Sequence, residues 1–334
     1  MSTFACLLVN KSAEGAFSIE VTSRSIADLP PGDVTVRVQY SSLNYKDGLS
    51  TRGHPGVTRK FPHVPGIDAV GEVVECRTNR WQPGDRVIVT GHDLGMNTWG
   101  GFGELIRVPD SWPIRLPTGL SMRDAMIYGT AGLTAAQCVH AIREHGVQPS
   151  AGDVVVTGAT GGVGSLATAM LAKLGYSVVA VTGKSTEHDF LCTLGAARIV
   201  ERGEVNDTSG KPLLGERWSA AVDTVGGNTL ATIVRSARRG GVVTACGMVG
   251  GVDLPLTVYP FILRNVSLAG IDSVECPDVL REQLWSKLAD EWRPAALASI
   301  ATEVSLTELP AQIERILNGA QRGRVIVRHG TPRE

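Results

Sequence analysis

Residues 153–184 carry the densest chemical signal in the chain. Asp153-Val154-Val155-Val156-Thr157 has the β-branched, apolar character of a buried strand, and Gly158-Ala159-Thr160-Gly161-Gly162-Val163-Gly164 follows at once. A helical run, residues 165–174, comes next. Glycines in a tight turn between strand and helix let the backbone approach an anion closely. The free N–H groups and positive dipole end of the helix then attract it. The chemistry this suits is the binding of a dinucleotide pyrophosphate. The pattern is G-x-G-x-x-G with Ala159 in the place of the first glycine. The alternative is a tight βα turn that binds no ligand.

The next strand, residues 176–182, selects the nucleotide. NAD-binding chains place Asp or Glu about 20 residues after the glycines, where it holds the ribose 2′-hydroxyl. Here the strand ends Val181-Thr182-Gly183-Lys184, with no carboxylate at those positions. Thr182 offers a hydroxyl to a 2′-phosphate, Gly183 gives room, and Lys184 adds a positive charge. The expected cofactor is therefore NADPH. On the alternative reading Lys184 is an ordinary solvated lysine.

What is missing narrows the chemistry. A catalytic zinc needs Cys and His ligands. Asn44-Tyr45-Lys46-Asp47 stands where a ligand cysteine would be expected, and Pro65-Gly66-Ile67-Asp68 replaces a Gly-His-Glu. His54, His63 and His92 read as ordinary loop side chains. No metal is expected. Hydride transfer without a metal needs an acceptor activated otherwise, and an enoyl thioester or an enone qualifies. Hydride adds at the β-carbon, and the α-carbon needs a proton. Tyr45 is the candidate to orient the acceptor or to donate or relay that proton. A phenol, with a reference pKa of about 10, donates rather than accepts at neutral pH. Asn44 is a candidate hydrogen-bonding partner for substrate or cofactor. Lys46 and Asp47 are expected to form a structural pair.

These groups need elements to position them. The first ~125 residues read as strands and turns. Val34-Thr35-Val36-Arg37-Val38 alternates with period two, and 69–74, 87–89 and 105–108 are further short β-rich runs. From about residue 121 the character changes. Helical stretches 121–127 and 132–144 precede the strand at 153–157, and strands at 197–200, 220–223 and 242–246 alternate with helical segments. Near-continuous apolar strands between helices mean a parallel sheet covered on both faces. Helices at 279–288 and 309–317 and a strand at 324–327 close the chain, with Thr307 expected as a cap and Pro310 in the first turn.

Bulk properties agree with a packed enzyme. At 334 residues the chain is long enough for about two domains. Hydrophobic residues make up 43% and charged residues 19%, which excludes a disordered chain. A formal net charge of -1 gives no reason to expect nucleic acid as a partner. The six scattered cysteines form no C-x-x-C pair and fit reduced thiols. No apolar run reaches membrane-spanning length and no signal peptide is read, so a cytoplasmic place is expected.

Several stretches together resemble a known family. Ser41-Ser42-Leu43-Asn44-Tyr45-Lys46-Asp47, Ala221-Val222-Asp223-Thr224-Val225-Gly226 and Ala245-Cys246-Gly247 match it. So do Pro260-Phe261-Ile262-Leu263-Arg264-Asn265-Val266 and Gly270-Ile271-Asp272-Ser273-Val274. The chain resembles the zinc-free, quinone oxidoreductase-like branch of the medium-chain dehydrogenase/reductase superfamily, over essentially its whole length. Within that branch it looks like the bacterial acrylyl-CoA reductase group. The resemblance implies an α/β fold: a doubly wound Rossmann sheet at 126–265 and a β-rich GroES-like catalytic domain from 1–125 and 266–334. It implies NADPH-dependent reduction of acrylyl-CoA to propanoyl-CoA. Carried over by motif, the cofactor contacts are Tyr45, Thr160, Gly161, Gly162, Val163, Thr182, Gly183 and Lys184. Arg202, Met248, Ile262, Ser273 and Arg324 complete the set. A homodimer is expected by analogy, with 242–246 or 251–256 supplying its edge. Arg264 and Arg52 are candidates to grip a CoA phosphate. The rival activities are quinone or enone reduction, and non-catalytic NADPH binding.

Overall fold

The computed structural model describes residues 3–330. It divides into two compact units. The first comprises the residues up to Thr130, Pro277–Glu282 and the residues from Ala301 on; the second is Ala131–Cys276 with Gln283–Ile300.

In the first unit, β1 (Thr3–Lys11) and β2 (Phe17–Ser25) pair antiparallel as a separate two-stranded sheet. There follow β3 (Val34–Leu43), α1 (Tyr45–Thr51), β4 (Asp68–Cys76), β5 (Arg86–Thr90), β6 (Leu105–Val108) and β7 (Ile114–Arg115). The helical run α2 (Met122–Glu144) is broken at Gly129, whose φ of 50° and ψ of -153° lie outside the helical region. The two expected helical segments are the pieces on either side of that break.

The second unit holds β8 (Val154–Val156), α3 (Gly162–Lys173), β9 (Val178–Val181), α4 (His188–Thr193) and β10 (Arg198–Val200). It continues with β11 (Trp218–Asp223), α5 (Gly227–Arg235), β12 (Ala237–Ala245), α6 (Tyr259–Arg264) and β13 (Ser267–Gly270). The chain ends with α7 (Asp278–Ala289), β14 (Ala301–Ser305), α8 (Leu309–Leu317) and β15 (Arg324–Arg328).

The second unit's sheet is parallel throughout, in the order β10-β9-β8-β11-β12-β13. Every residue of β8, β9 and β11 is buried, as a sheet covered on both faces requires. Val155, Val179, Ala221 and Val243 pack with Ile233 and Val234 of α5 in its core. The first unit's sheet runs β14-β15-β3-β4-β5-β7, with β6 also on β3, and only β14 and β15 are parallel neighbours. β3 serves two apolar clusters. Val34, Val36 and Val38 pack with Ile106 and Val87, while Leu43 joins Leu7, Phe102 and Ile313. Each such side chain contributes roughly 1.5–3 kcal/mol by burial.

Some elements differ from expectation. β13 adds a sixth strand to the parallel sheet, so that sheet reaches past residue 265. β12 lies between β11 and β13 and offers no free edge, which corrects the expectation for 242–246. The N-cap of α8 is Glu308 rather than Thr307, and the Glu308 carboxylate accepts from the Ser305 N–H and hydroxyl. α1 was not foreseen. Gly48, Ser50 and Thr51 weaken its helical pattern, and tertiary hydrogen bonds described below hold it.

Two buried histidines tie together loops of the first unit. His63 Nε2 lies 2.9 Å from Gly95 O, and His329 Nε2 2.8 Å from Gly101 O. Those loops pack on Gly66, where a Cβ would lie 2.5 Å from Phe102 N. Burial pulls each imidazole down to about 4 from 6.5. Between those values the unfolded chain binds the extra protons, so this stability is present above pH 6.5 and is lost as pH falls toward 4. The double variant His63→Gln/His329→Gln should show a flatter fall of the urea midpoint across that window than the parent protein. An unchanged slope would reject neutral, buried imidazoles.

Candidate active site

The glycine turn sits between β8 and α3 as the sequence requires. Gly158 has φ 56°, and a Cβ there would strike Thr224 Oγ1. A Cβ on Gly164 would lie 2.8 Å from Ala159 Cα and would strike Gly158 O, so the helix packs against the turn only with glycine in place. Gly161 is the N-cap of α3 and supplies no side-chain acceptor. The first N–H groups of a twelve-residue helix therefore remain available to an anion. Thr160 is buried, while Gly161, Gly162 and Val163 are half-buried along the opening of this helix.

The turn lies at the point where the strand order reverses. From β8 the chain builds outward through β9 to β10, then resumes on the other side of β8 with β11. Open α/β sheets bind ligands beyond the carboxyl ends of such strands. There the Thr157 hydroxyl donates to Asp223 Oδ1 at 2.7 Å, and Thr224 N donates back to Thr157 Oγ1 at 2.9 Å. Gly226 N donates to Asp223 Oδ2 at 2.7 Å. Burial pushes the Asp223 carboxyl up, against the downward pull of these donors.

The end of β9 brings four expected residues together. Thr182 is buried and its Oγ1 accepts from Lys184 N at 3.0 Å. Gly183 is exposed, and a Cβ on it would lie 2.8 Å from Arg202 Nε and 3.1 Å from Arg202 Cζ. The guanidinium therefore packs directly on the glycine. Arg202 opens a short 3₁₀ turn, Arg202–Val205, just beyond β10. A hydroxyl, a space and a guanidinium meet here, with Lys184 next along the chain, and this set fits a nucleotide carrying an additional phosphate.

The remaining expected contacts are more dispersed. Met248 and Ile262 are strongly exposed, at 69% and 67%. The Met248 backbone rests against the Gly226 turn, where a Cβ would come within 3.1 Å of Met248 Cα. Ser273 is buried and accepts from Thr134 Oγ1 at 2.8 Å, while Gln137 Nε2 donates to Asp272 O at 3.2 Å. α2 thus holds the 272–273 loop from one face.

In the first unit, Asn44 precedes α1 and Tyr45 is its first residue, with 46% of its surface exposed. Asp47 is fully buried. Its Oδ2 accepts from Asn44 N at 2.7 Å, and its Oδ1 from Gly66 N at 3.1 Å and Ile67 N at 2.9 Å. These bonds replace the expected pairing with Lys46. Burial raises the Asp47 carboxyl to about 7 despite three N–H donors. Asn44 Nδ2 donates to Asp68 Oδ2 at 2.7 Å, and Asn44 Oδ1 accepts from Arg324 Nη1 at 3.1 Å. Arg324 is 3% exposed, and its guanidinium also reaches Ile127 O, Leu43 O and Ser42 Oγ. The side chain expected to touch a cofactor is thus committed within its own unit. Asp68, Ser42 and Thr130 were not foreseen as members of this cluster, although Asp68 stands in the Pro65-Gly66-Ile67-Asp68 motif.

One further expectation is corrected. Arg264 is largely buried and donates to Arg235 O, Ala237 O and Leu214 O, with Glu216 beside it, so it is not free to grip a phosphate. Arg52 is exposed but pairs with Glu314. Among the described residues, no group of three or more His, Cys, Asp or Glu side chains is placed to hold a metal ion.

This geometry is that of a two-part nucleotide-dependent oxidoreductase, and comparison with known proteins agrees. Residues 30–118 match the alcohol dehydrogenase GroES-like domain family, and residues 162–290 the zinc-binding dehydrogenase family. The chain belongs to the medium-chain dehydrogenase/reductase superfamily. It is 46% identical to the acrylyl-CoA reductase AcuI of Ruegeria pomeroyi over 97% of this chain and 98% of that protein. It is also similar to the crystal structure of Escherichia coli YhdH with bound NADPH, with 45% identity and a TM-score of 0.93 over 97% of this chain and 99% of that one. The Bacillus subtilis protein yhfP, crystallised with NAD bound, superposes with a TM-score of 0.96 at 44% identity, over 98% of this chain and all of the other.

Asp47 ties α1 to the Gly66–Ile67 backbone, so Asp47→Ala should leave three N–H groups without their acceptor. The expected cost is about 3 kcal/mol of stability, read as a lower urea midpoint at unchanged m-value. A loss below about 0.5 kcal/mol would show that this carboxyl contributes little to holding the helix.

Proposed function

We propose that this protein is an NADPH-dependent reductase of the activated C=C bond of a short enoyl-CoA, converting acrylyl-CoA to propanoyl-CoA. The observation that carries the reading is near-full-length similarity to an acrylyl-CoA reductase. The grouping of Thr182, Gly183, Lys184 and Arg202, with no carboxylate at positions 182–184, supports NADPH. When bound, that cofactor supplies the hydride, which the β-carbon accepts. The thioester carbonyl draws the resulting charge toward the α-carbon, which then takes a proton. In balance, the acyl group gains one hydride and one proton, and the nicotinamide is oxidised.

The residues divide the work. The α3 N-terminus with Thr160, Gly161, Gly162 and Val163 binds the pyrophosphate. Lys184 and Arg202 neutralise the 2′-phosphate, with Thr182 as a hydrogen-bonding partner. Met248, Ile262 and Ser273 complete the cofactor contacts. Tyr45 presents its phenol to the acceptor and donates or relays the proton. Asn44 and Arg324, bonded to each other within the first unit, support the turn that carries Tyr45. We read the first unit as the catalytic domain and the second as the nucleotide domain. We also infer a cytoplasmic homodimer. Val249, Val252, Val258 and Leu263 are exposed apolar side chains, which a second copy would cover.

Three measurements test this. NADPH oxidation should give its highest kcat/KM with acrylyl-CoA when acrylyl-CoA, crotonyl-CoA and a quinone are compared side by side. A quinone maximum would select the quinone reductase reading, and absence of turnover with all three the non-catalytic one. Lys184→Glu should weaken NADPH binding by at least about tenfold, about 1.4 kcal/mol, and NADH binding little; equal losses would remove the 2′-phosphate assignment. Tyr45→Phe should lower kcat by about a hundredfold, and a parental rate would remove the phenol from the mechanism.

A further inference from the structure

Asn44 has both ends of its side chain occupied by buried charges, which is more than a helix cap requires. Asp68 and Arg324 are 0% and 3% exposed, and Asn44 lies between them. The carboxamide has one workable orientation. Turned over, it would set Nδ2 against the Arg324 guanidinium and Oδ1 against the Asp68 carboxylate, a donor on a donor and an acceptor on an acceptor.

The two charges are themselves held. Ser42 Oγ donates to Asp68 Oδ2 at 2.5 Å and accepts from Arg324 Nη2 at 2.7 Å. Thr130 gives Asp68 both its N–H, at 2.9 Å, and its hydroxyl, at 2.5 Å. The preceding Gly129 makes this possible. Its φ is 50°, and a Cβ on it would lie 2.5 Å from Ser42 Oγ and 3.0 Å from Arg324 Nη2. The backbone comes this close only without a side chain. Asp47 holds the Asn44 N–H separately.

We propose that Asp68 and Arg324 are positioning residues that act through Asn44, gripping its carboxamide from opposite ends and thereby fixing the opening turn of α1. The proposal rests on the reading above that this turn, with Tyr45, meets the acceptor. Neither Asp68 nor Arg324 needs to touch the acceptor for this. An ångström of drift at the start of the helix is enough to lower the rate of a positioned reaction by about a hundredfold.

A kinetic cycle separates positioning from mere support of the fold. kcat and the KM for NADPH are measured for Asp68→Asn, Asn44→Ala and the double variant, at a temperature where circular dichroism shows each folded. Asp68→Asn is expected to lower kcat by about tenfold to a hundredfold, with the KM for NADPH within about twofold. The double variant should be no slower than Asn44→Ala, because the route of action is already cut. Losses that multiply in the double variant overturn the proposal, as does a parental kcat in Asp68→Asn. If Asp68→Asn does not fold, Ser42→Ala takes its place in the same cycle, since it removes a donor to Asp68 and an acceptor of Arg324. Tyr45→Phe keeps the two ideas apart. A parental rate in that variant removes the role given to Tyr45, while coupling between residues 68 and 44 still decides the positioning.

Discussion

Burying a guanidinium and a carboxylate in one place is the demand around which the first unit is arranged. Removing each ion from water costs several kcal/mol even after relaxation. The mutual attraction of Arg324 and Asp68, 3.7 Å apart, offsets this only if the other donors and acceptors are also satisfied. The cluster draws on four different elements. β3 brings Ser42 and Leu43, α2 brings Ile127 and Thr130, β4 brings Asp68, and β15 brings Arg324. Apolar residues of similar volume are often as stable at such sites. The gain here is definition: the polar network admits one arrangement of strand ends, and Asn44 and α1 are attached to it.

The second unit depends on space rather than charge. Its glycines admit close approach at Gly158, Gly164 and Gly183, each facing an atom that a methyl group would strike or crowd. Two of these shape the turn and the start of α3, whose first N–H groups have no side-chain cap. The third leaves Arg202 lying on bare backbone. Asp223, buried beside the same turn, is kept from the ligand side by Thr157 and the N–H groups of residues 225 and 226. The proposed anion-binding end is thus built from backbone and cations, and the buried Asp223 carboxylate beside it is tied into the sheet.

How much of this the sequence disclosed depends on how local each feature is. The glycine turn, the strand end at 182–184 and the alternation of apolar strands with helices are local patterns, and the structure carries them at those residues. Arg202 could be named from its place beyond a strand, but its contact with Gly183 is a tertiary fact. α1 was hidden because Gly48, Ser50 and Thr51 are weak helix formers, and three N–H bonds to Asp47 outweigh that. β13 was hidden because Ser267-Leu268-Ala269-Gly270 is too short to show a period. Ion pairs were the least legible. Arg264 and Arg324 look alike in the chain, and only long-range partners at residues 214 and 235, or 42 and 68, tell what each one does.

The two kinds of charge have different physical consequences. Lys184 is half-buried and Arg202 exposed, so their pull on a phosphate works through solvent and is screened over roughly 10 Å at ordinary ionic strength. Asp47, Asp68 and Arg324 lie in the interior, where salt hardly reaches and where each bond has a fixed direction. A nucleotide that must bind and leave is served by the first kind, because its contacts can be exchanged for water and counterions. A phenol with the role proposed for Tyr45 is served by the second, because a directed, buried network tolerates only one position of the helix that carries it. On the proposed function, the pairing of screened cations around Gly183 with a locked carboxamide at Asn44 follows from the separate tasks of holding a cofactor and placing a proton.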